Sequence, residues 1–414
     1  MKRAGLRRGA FLAGAAGVAA AALARSKVFA ESLPQANVTL GDEAFLRSAW
    51  HDLRGRTVGV VTNQSGVTSQ LESIVDAIRR NPAIKLKALY SPEHGLRGDQ
   101  PAGAYVRSYV DERSGLPVYS LYGSTRRPTR EMLDGIDVLV YDIQDVGDRA
   151  YTYISTLAYV MQAAKAYGKT VWVLDRPNPI GGDVVEGPVL DPRFASFIGL
   201  YALPVRHGMT VGELAKLFNE HFAIGCTLRV VAMEGYARSM LWPDTGLSWV
   251  QTSPNIPEWD TTLVYPATGL IDAAGVNNGT SYTKPFKLAG AYRLDGRRLA
   301  DELNGRSLPG VYFRPTSWTP FAGFWGGKLL SGVELIVTAP HAFRAVRTAV
   351  EILVAVRRIS PGTLTLGATG LDKDWGTDTL RKGLEDGLDA DAILSQWTPA
   401  TRAFEALRTR YLLY

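Results

Sequence analysis

The sequence predicts an α/β protein built on a mostly parallel β-sheet. Short, continuously apolar runs recur along the first part of the chain, and segments with helical spacing alternate with them. Runs without polar alternation indicate strands that are buried on both faces, as in a parallel sheet covered by helices. The chain has 414 residues, 46% of them apolar and 21% charged, which is ordinary for a folded protein with room for two domains.

The larger predicted unit alternates strands and helices. The apolar runs that we interpret as strands are residues 57–62, 86–90, 118–121, 137–141, 170–174 and 226–232. Helical spacing occurs at 71–80 and 151–167, and Thr210 with Glu213 forms a capping box for a helix that reaches His221. The sheet therefore has helices on both faces.

A smaller α+β unit is predicted to follow it. Its elements are a helix at 294–304, strands at 311–314 and 333–338, and a long helix at 342–358. No repeat or long linker separates the two units, so we expect them to pack closely, with the site in the cleft between them. The predicted boundaries are 1–30 for an export signal, 31–283 for the larger domain and 284–414 for the smaller domain.

The first thirty residues are typical of an export signal. They contain six cations and no acid, an Ala/Gly/Leu-rich segment, and small-residue cleavage sites after Ala24 or Ala30. The pair Arg7 and Arg8 resembles a twin-arginine signal, and an ordinary secretory signal is the alternative. The apolar segment is shorter than the roughly 20 residues that span a bilayer. We expect an exported bacterial protein, periplasmic or extracellular, without a stable membrane anchor.

Composition argues against several classes of function. The six cations of residues 1–30 account for the whole formal charge of +6, so a nucleic-acid partner is not expected. The single cysteine, Cys226, excludes an intramolecular disulfide, and the five histidines show no metal-ligand spacing. No Gly-x-Gly-x-x-Gly follows the first strand, which argues against a dinucleotide. We expect neither a metal nor a cofactor.

The strongest local signal is the segment 91–95, Ser-Pro-Glu-His-Gly, directly after the second predicted strand. Open parallel sheets place reactive groups at the carboxyl ends of their strands, so Glu93 is the first catalytic candidate. The alternative is that Glu93 and His94 only cap a loop. Other acid-rich loops follow the strands that end at Tyr141 and Leu174, and paired carboxylates suit the cleavage of glycosidic bonds.

Six motifs, taken together, carry a family resemblance. They are 91–95, 141–149 (Tyr-Asp-Ile-Gln-Asp-Val-Gly-Asp-Arg), 175–179 (Asp-Arg-Pro-Asn-Pro), 186–188 (Glu-Gly-Pro), 206–210 (Arg-His-Gly-Met-Thr) and 253–257 (Ser-Pro-Asn-Ile-Pro). In this order they resemble the exo-β-N-acetylmuramidases of the NamZ type. The resemblance implies a Rossmann-like domain, a smaller carboxyl-terminal domain, and a cleft that removes terminal N-acetylmuramic acid from peptidoglycan fragments.

The motifs and the resemblance together give the candidate site residues. The catalytic candidates are Glu93 (as general acid), His94, Asp142 and Asp145. The substrate-binding candidates are Asn63, Arg149, Tyr151, Asp175, Arg176, Asn178, Glu186, Arg206, His207, Asn255 and Asp272. Because N-acetylmuramic acid carries a lactyl carboxylate, a cation is needed, and Arg149, Arg176 and Arg206 are the candidates for it.

One segment departs from the family pattern. Residues 271–280 read Ile-Asp-Ala-Ala-Gly-Val-Asn-Asn-Gly-Thr, where the family has a Glu at the position of Asp272, an Asn at that of Gly275, and an Arg with no counterpart here. Two alternatives therefore stand beside the muramidase. They are a wall-sugar-binding homologue without activity and a glycosidase for a different glycan.

Overall fold

The computed structural model describes residues 36–414, which form one compact unit. The predicted export signal at 1–30 lies outside the described residues. The unit contains a seven-stranded sheet and a three-stranded sheet, each with packed helices. This confirms the predicted class, a larger, mostly parallel α/β part and a smaller part with an antiparallel sheet. The predicted domain boundary at residues 283 and 284 stays a prediction.

The larger sheet has the strand order β3-β4-β2-β1-β5-β6-β7. Its strands are β1 Thr57–Thr62, β2 Lys85–Ser91, β3 Tyr109–Val110, β4 Pro117–Ser120, β5 Val138–Asp142, β6 Thr170–Leu174 and β7 Thr227–Val231. All neighbouring pairs are parallel except β3 with β4. The central strands β1 and β5 are almost fully buried, which explains their continuous apolar runs.

Helices cover both faces of the larger sheet. They are α1 Gly41–Arg47, α2 Ile74–Arg79, α3 Tyr153–Ala166 and α4 Val211–Glu220, and α5 Trp259–Thr268 follows them along the chain. The predicted capping box of α4 is present, since the Thr210 hydroxyl accepts from the Glu213 amide and the Glu213 carboxylate accepts from the Thr210 amide. Short 3₁₀ helices lie at Ala49–Leu53, Pro192–Phe194, Trp242–Thr245, Asp272–Ala274 and Pro361–Thr363.

The smaller sheet is antiparallel, in the order β8-β10-β9. Its strands are β8 Leu288–Tyr292, β9 Val311–Trp318 and β10 Leu330–Val337. The helices of this part are α6 Gly296–Gly305, α7 Ala345–Ile359, α8 Leu371–Trp375, α9 Thr379–Glu385 and α10 Ala390–Arg408. Helix α7 is buried along most of its length and packs against α5, α6 and α10, which joins the two parts through one core.

Two elements near the site were not predicted. Helix α5 contains Pro266 and lies in a segment rich in Trp, Pro and Tyr, which sequence patterns favour as a loop. It is helical because Leu263, Val264 and Ala267 are buried in the core. Strand β8 has a glycine at its centre, Gly290, so close to β10 that a Cβ would lie 2.6 Å from the Ser331 carbonyl oxygen.

The parallel strands bring their carboxyl ends to one edge of the larger sheet. In the ladder Val61 pairs with both Tyr90 and Tyr141, so the loops after β1, β2 and β5 start side by side. This is the edge at which open parallel sheets bind ligands. Within residues 36–414, no helix is long and apolar enough to cross a membrane.

Candidate functional site

Glu93 lies in the loop after β2, and its carboxylate is buried, with 7% of the residue exposed. Its Oε1 accepts a hydrogen bond from the Gly103 amide at 2.8 Å, and its Oε2 accepts one from the Thr152 hydroxyl at 2.7 Å. Both oxygens therefore face donors, which suit the ionised form of a carboxylate. The two bonds fix Glu93 between the loop that follows it and the start of α3.

His94 faces its own loop. Its backbone is left-handed, with φ at 69°, and its Nδ1 lies 2.8 Å from the Gln100 carbonyl oxygen. A non-glycine residue with positive φ is strained unless the surrounding structure holds it there. The contact closes the 94–100 loop, which leads to the Gly103 amide that binds Glu93. His94 is thus placed to shape the loop around Glu93.

The hydroxyl of Tyr265, on α5, lies within electrostatic reach of several acids. Burial raises the pKa of Tyr265 well above its ordinary value, and the charges of Asp148, Glu93 and Asp272 raise it further. Its ring packs edge-on against Tyr151, with centroids 5.8 Å apart. Tyr265 therefore lies between strand-end acids of the larger sheet and the loop that carries Asp272.

Asp272 is the solvent-accessible acid of this group. More than a third of the residue is exposed, yet protein atoms surround the carboxyl closely enough that burial raises its pKa to about 6. The charge of nearby Asp374 adds to this rise. Exposure to water and crowding by protein are compatible on the wall of a cleft, where solvent reaches one side only. A carboxyl with this pKa can hold a proton at mildly acidic pH.

The altered segment that contains Asp272 is well ordered by internal bonds. Gly275 has φ at 84°, and a Cβ there would lie 2.9 Å from the Thr363 carbonyl oxygen, so the glycine is required. Asn277 accepts from the Trp318 indole at 3.0 Å, and Asn278 donates to the Thr268 carbonyl at 3.1 Å. The departure from the family pattern thus leaves a folded loop with its carboxylate in the cleft.

Asp145 and Asp148 follow β5. Asp145 accepts from the Gly147 amide at 2.8 Å and lies 3.7 Å from His207 Nε2. Since His207 Nδ1 accepts from the Met209 amide, the proton of the neutral ring is on Nε2 and faces Asp145. Burial raises the pKa of Asp148 to about 7. Asp148 was not among the predicted site residues, although it lies in the same motif as Asp145.

Several buried polar atoms at this edge of the sheet have no protein partner within residues 36–414. They are Asn63 Nδ2, Ser91 Oγ, Gln144 Oε1, Asp145 Oδ1, Asp148 Oδ2 and His207 Nε2. A buried polar atom without a partner costs about 1–3 kcal/mol, so such atoms are typical of sites that bind polar groups. Their concentration after β1, β2 and β5 marks the same edge as Glu93.

Arg176 and Asp142 form a buried ion network. The Arg176 guanidinium donates to both Asp142 oxygens at 2.5 and 3.0 Å, to Asp42 at 2.8 Å and to the Val67 carbonyl at 3.0 Å. Both aspartates are fully buried and Arg176 is 3% exposed. These bonds use the Nε and Nη2 donors of Arg176 and favour a structural role for Asp142.

Four other predicted binding residues are also engaged by the protein. Asp175 accepts from Thr210, Gly212 and Tyr414. Asn178 donates to the Met209 carbonyl at 3.1 Å. The remaining pair is Glu186 and Arg206, which bind each other at 3.2 Å, and Glu186 also accepts from the α7 amide of Ala345. These contacts tie the loops after β6 to the helices below the site.

Arg149 is buried and donates only to backbone carbonyls, those of Pro188, Leu203 and Asp374. Burial lowers its pKa to about 10, and the charges of Asp148 and Asp374 offset only part of this fall. Its bond to Asp374 links the β5 loop to α8. None of the three arginines predicted to bind the lactyl carboxylate therefore points an unpaired guanidinium into the cleft.

The last predicted binding residues differ in their contacts. Tyr151 donates to the Thr252 hydroxyl at 2.7 Å, and Asn63 accepts from the Ser65 amide and hydroxyl. Asn255 is half-buried, and its side chain makes no hydrogen bond within the described part of the chain. Asn63 and Tyr151 thus border the site, while Asn255 stays a prediction.

Arg126 is a cation near Glu93 that the sequence analysis missed. Its guanidinium lies 4.5 Å from the ring centre of Tyr122 and 4.7 Å from that of Phe197. Burial and then the charge of Glu93 raise the pKa of Tyr122, which places this hydroxyl beside Glu93. Arg126 is exposed and forms no ion pair with a carboxylate of residues 36–414. Residue 126 lies outside the predicted strands and helices and outside the six motifs, so no pattern in the sequence pointed to it.

Comparison with known proteins decides the family. The model described as exo-β-N-acetylmuramidase NamZ, N-terminal, matches residues 58–260, and the corresponding C-terminal model matches residues 263–414. The chain belongs to the NamZ family. It is 46% identical over 378 residues to the peptidoglycan β-N-acetylmuramidase NamZ of Bacillus subtilis strain 168, an alignment that covers 91% of each chain.

Two solved structures share the NamZ fold seen here. Both are proteins of Bacteroides fragilis NCTC 9343 described as members of the DUF1343 family. One is 36% identical with a TM-score of 0.86, and covers 92% of this chain and 100% of its own. The other is 26% identical with a TM-score of 0.72, and covers 91% of this chain and 99% of its own. The fold therefore extends over almost the whole described chain.

No group of three or more His, Cys, Asp or Glu side chains in residues 36–414 is arranged to hold a metal ion. The acids of the site are separated by tyrosines and by backbone donors. What the arrangement offers is proton transfer and electrostatic stabilisation by carboxylates.

The ion network yields a prediction about stability. Replacing Arg176 by Leu leaves Asp42 and Asp142 buried without a counter-charge, so we expect the free energy of unfolding to fall by about 3–5 kcal/mol. Urea unfolding followed by circular dichroism measures it. Arg193→Leu is the control, because Arg193 forms an exposed pair with Asp191 that contributes at most about 1 kcal/mol. Equal stability of the two variants would contradict the structural role of Arg176.

Proposed function

We propose that this protein is an exo-acting glycoside hydrolase that removes terminal β-linked N-acetylmuramic acid from peptidoglycan fragments. The observation that carries the proposal is the buried, hydrogen-bonded carboxylate of Glu93 at the carboxyl edge of the parallel sheet, in a chain of the NamZ family. Hydrolysis of a glycosidic bond needs one acid to protonate the leaving oxygen and a second group that acts at the anomeric carbon.

Asp272 is proposed as the proton donor. It faces solvent on the cleft wall, and burial with the charge of Asp374 raises its pKa to about 6, so it holds a proton under mildly acidic conditions. Glu93 is proposed as the ionised partner, because Gly103 and Thr152 donate to its two oxygens. This assignment reverses the role of general acid that the sequence suggested for Glu93.

Arg126 is proposed to bind the lactyl carboxylate of the sugar. Stacking between Tyr122 and Phe197 holds the guanidinium in place while its edge remains open to solvent. An arginine edge binds a carboxylate in bidentate geometry. The three arginines that were predicted for this task are buried and occupied by other partners.

An exported location, periplasmic or extracellular, is part of the proposal. Its support is the sequence of residues 1–30, with the Arg7-Arg8 pair and an Ala/Gly/Leu-rich segment. A substrate derived from the cell wall agrees with such a location.

Replacement of Glu93 by Gln keeps the size of the side chain and removes its charge. We expect kcat/KM on a chromogenic β-N-acetylmuraminide to fall about 10²- to 10⁴-fold, the range for loss of a catalytic carboxylate. Glu112→Gln, at an exposed site, is the matched control and should keep full activity. If native protein binds the sugar in calorimetry without turnover, the wall-sugar-binding alternative is correct instead. Turnover of other chromogenic glycosides only would identify a different glycan.

The pH dependence tests the role of Asp272. The proton donor must be protonated, so kcat/KM should fall as pH rises through about 6. Asp374→Asn removes a neighbouring negative charge that disfavours ionised Asp272. The pKa of Asp272 should therefore fall, and the decline in kcat/KM should begin at a lower pH. Profiles of both proteins are compared on the chromogenic substrate. If the decline in kcat/KM begins at the same pH or at a higher pH in the variant, Asp272 is excluded as the proton donor.

The role of Arg126 is tested by comparing two sugars. Arg126→Ala should raise KM for the chromogenic β-N-acetylmuraminide by roughly tenfold, through loss of a charge-assisted hydrogen bond. Hydrolysis of the corresponding β-N-acetylglucosaminide, which lacks the lactyl group, should change little. Arg130→Ala is the control, because Arg130 also lies over a tyrosine ring, that of Tyr167. An equal effect on both sugars would argue against carboxylate binding.

A further inference from the structure

An exposed aromatic surface lies at the hairpin between β9 and β10, which carries three of its five rings. It consists of Tyr282, Tyr292, Phe321, Phe324 and Trp325, which we call the aromatic platform. Phe321 is 74% exposed and Phe324 is 67% exposed. Large apolar side chains that share one exposed patch are typical of interaction surfaces, whereas single exposed ones need no explanation.

The rings of the platform are held in place by packing against one another and against a small core. Tyr282 pairs with Phe321 at 5.6 Å between ring centres, and Trp325 pairs with Phe324 at 4.7 Å and with Tyr292 at 5.9 Å. Tyr282 and Trp325 also pack on a small core formed by Leu288, Trp318 and Leu330. The two exposed phenylalanines are thus held by rings beneath and beside them.

The platform adjoins the loop that carries Asp272. The Trp325 indole points to the Gly275 carbonyl oxygen at 3.5 Å, and the Phe321 amide donates to the Ser281 carbonyl at 2.8 Å. The same loop places Asp272 near the Tyr265 hydroxyl. The platform therefore continues the cleft wall on the side of Asp272.

Two cations flank the platform. The Arg293 guanidinium lies 5.1 Å from the ring centre of Tyr292, and the Lys328 ammonium lies 6.0 Å from it. Neither forms an ion pair with a carboxylate in residues 36–414, although many other cations of this part do. The surface thus combines apolar ring faces with positive charge that the protein does not neutralise.

We infer that the aromatic platform binds the part of the glycan strand that follows the cleaved sugar. This rests on the proposed function, since the proton donor acts on the leaving oxygen and the leaving strand must then lie on the side of Asp272. Apolar C–H faces of sugar rings pack on aromatic rings. Arg293 and Lys328 match the carboxylates of peptidoglycan, which are those of lactyl groups and peptide stems.

The occupant is a polymer of sugars, because the platform lies beyond the site of the terminal sugar. A small chromogenic leaving group carries no further sugar rings that the platform could bind. The platform should therefore determine activity on long strands and have no influence on a small chromogenic substrate.

The test compares two substrates that have the same sugar at the non-reducing end and differ in the length of the leaving group. Wild type and the double variant Phe321→Ala/Phe324→Ala are assayed on a chromogenic β-N-acetylmuraminide and on soluble glycan strands of several disaccharides with peptide stems. We expect kcat/KM on the strands to fall tenfold or more, while that on the chromogenic substrate stays within twofold. Tyr312→Ala, an exposed tyrosine of β9, is the control and should change neither.

Charge is tested separately. Arg293→Ala and Lys328→Ala should each weaken activity on strands with stems, and the effect should shrink when the stem carboxylates are amidated. An equal loss of activity on both substrates, or none on strands, would overturn the inference. It would also be overturned if sedimentation showed a native dimer that the double variant dissociates while the ratio between substrates stays constant.

The inference and the proposed function fail in different ways. If the wild type does not cleave the chromogenic substrate, the proposed function fails. Calorimetry of strands with Glu93→Gln, with and without Phe321→Ala/Phe324→Ala, still measures binding at the platform. Weaker binding after loss of the phenylalanines supports the platform, and unchanged binding refutes it.

Discussion

The buried guanidinium of Arg176 is the interaction on which the site depends. It joins Asp142 at the end of β5, Asp42 in α1 and the Val67 carbonyl in the loop after β1. Separate burial of these charges would be very unfavourable, and each is stable only because the others are present. The network holds the carboxyl ends of the central strands in one arrangement. The loops that carry Asn63, Asp145 and Asp148 all start from it.

The polar residues of the motifs divide into two groups by how fully the protein binds them. Asp175, Arg176 and Asn178 have hydrogen-bond partners that use most of their capacity, and they hold loops together. Other polar groups keep an atom without a protein partner, as Asp145 does, or face the cleft, as Asp272 does. Chemistry requires a group that can still form a bond, so the second group supplies catalytic candidates in addition to Glu93, whose carboxylate oxygens each accept a single hydrogen bond.

Tyr265 connects the two halves of the proposed catalytic arrangement. Helix α5 places it where acids from the larger sheet meet the loop that leads to the smaller sheet. The same loop continues to the aromatic platform through Gly275 and Ser281. One side of the cleft is thus formed by rigid strand ends, and the other by a loop and a hairpin whose exposed rings extend the surface. Bond cleavage is proposed between the two sides, with Glu93 on the first and Asp272 on the second, and recognition of a longer ligand is proposed on the second side alone.

The sequence by itself determined the mostly parallel sheet, the capping box of α4, the strand-end position of Glu93 and the family. Each of these depends on an apolar run or on short motifs, and each such run or motif lies within one short segment of the chain. Only the tertiary structure decided that Arg176 pairs with Asp142 and Asp42, and that Arg126 forms no ion pair with a carboxylate of residues 36–414. Which charges meet is set by packing between segments far apart in the chain. For the same reason, burial could raise the pKa of Asp272 only after the cleft wall had formed around it.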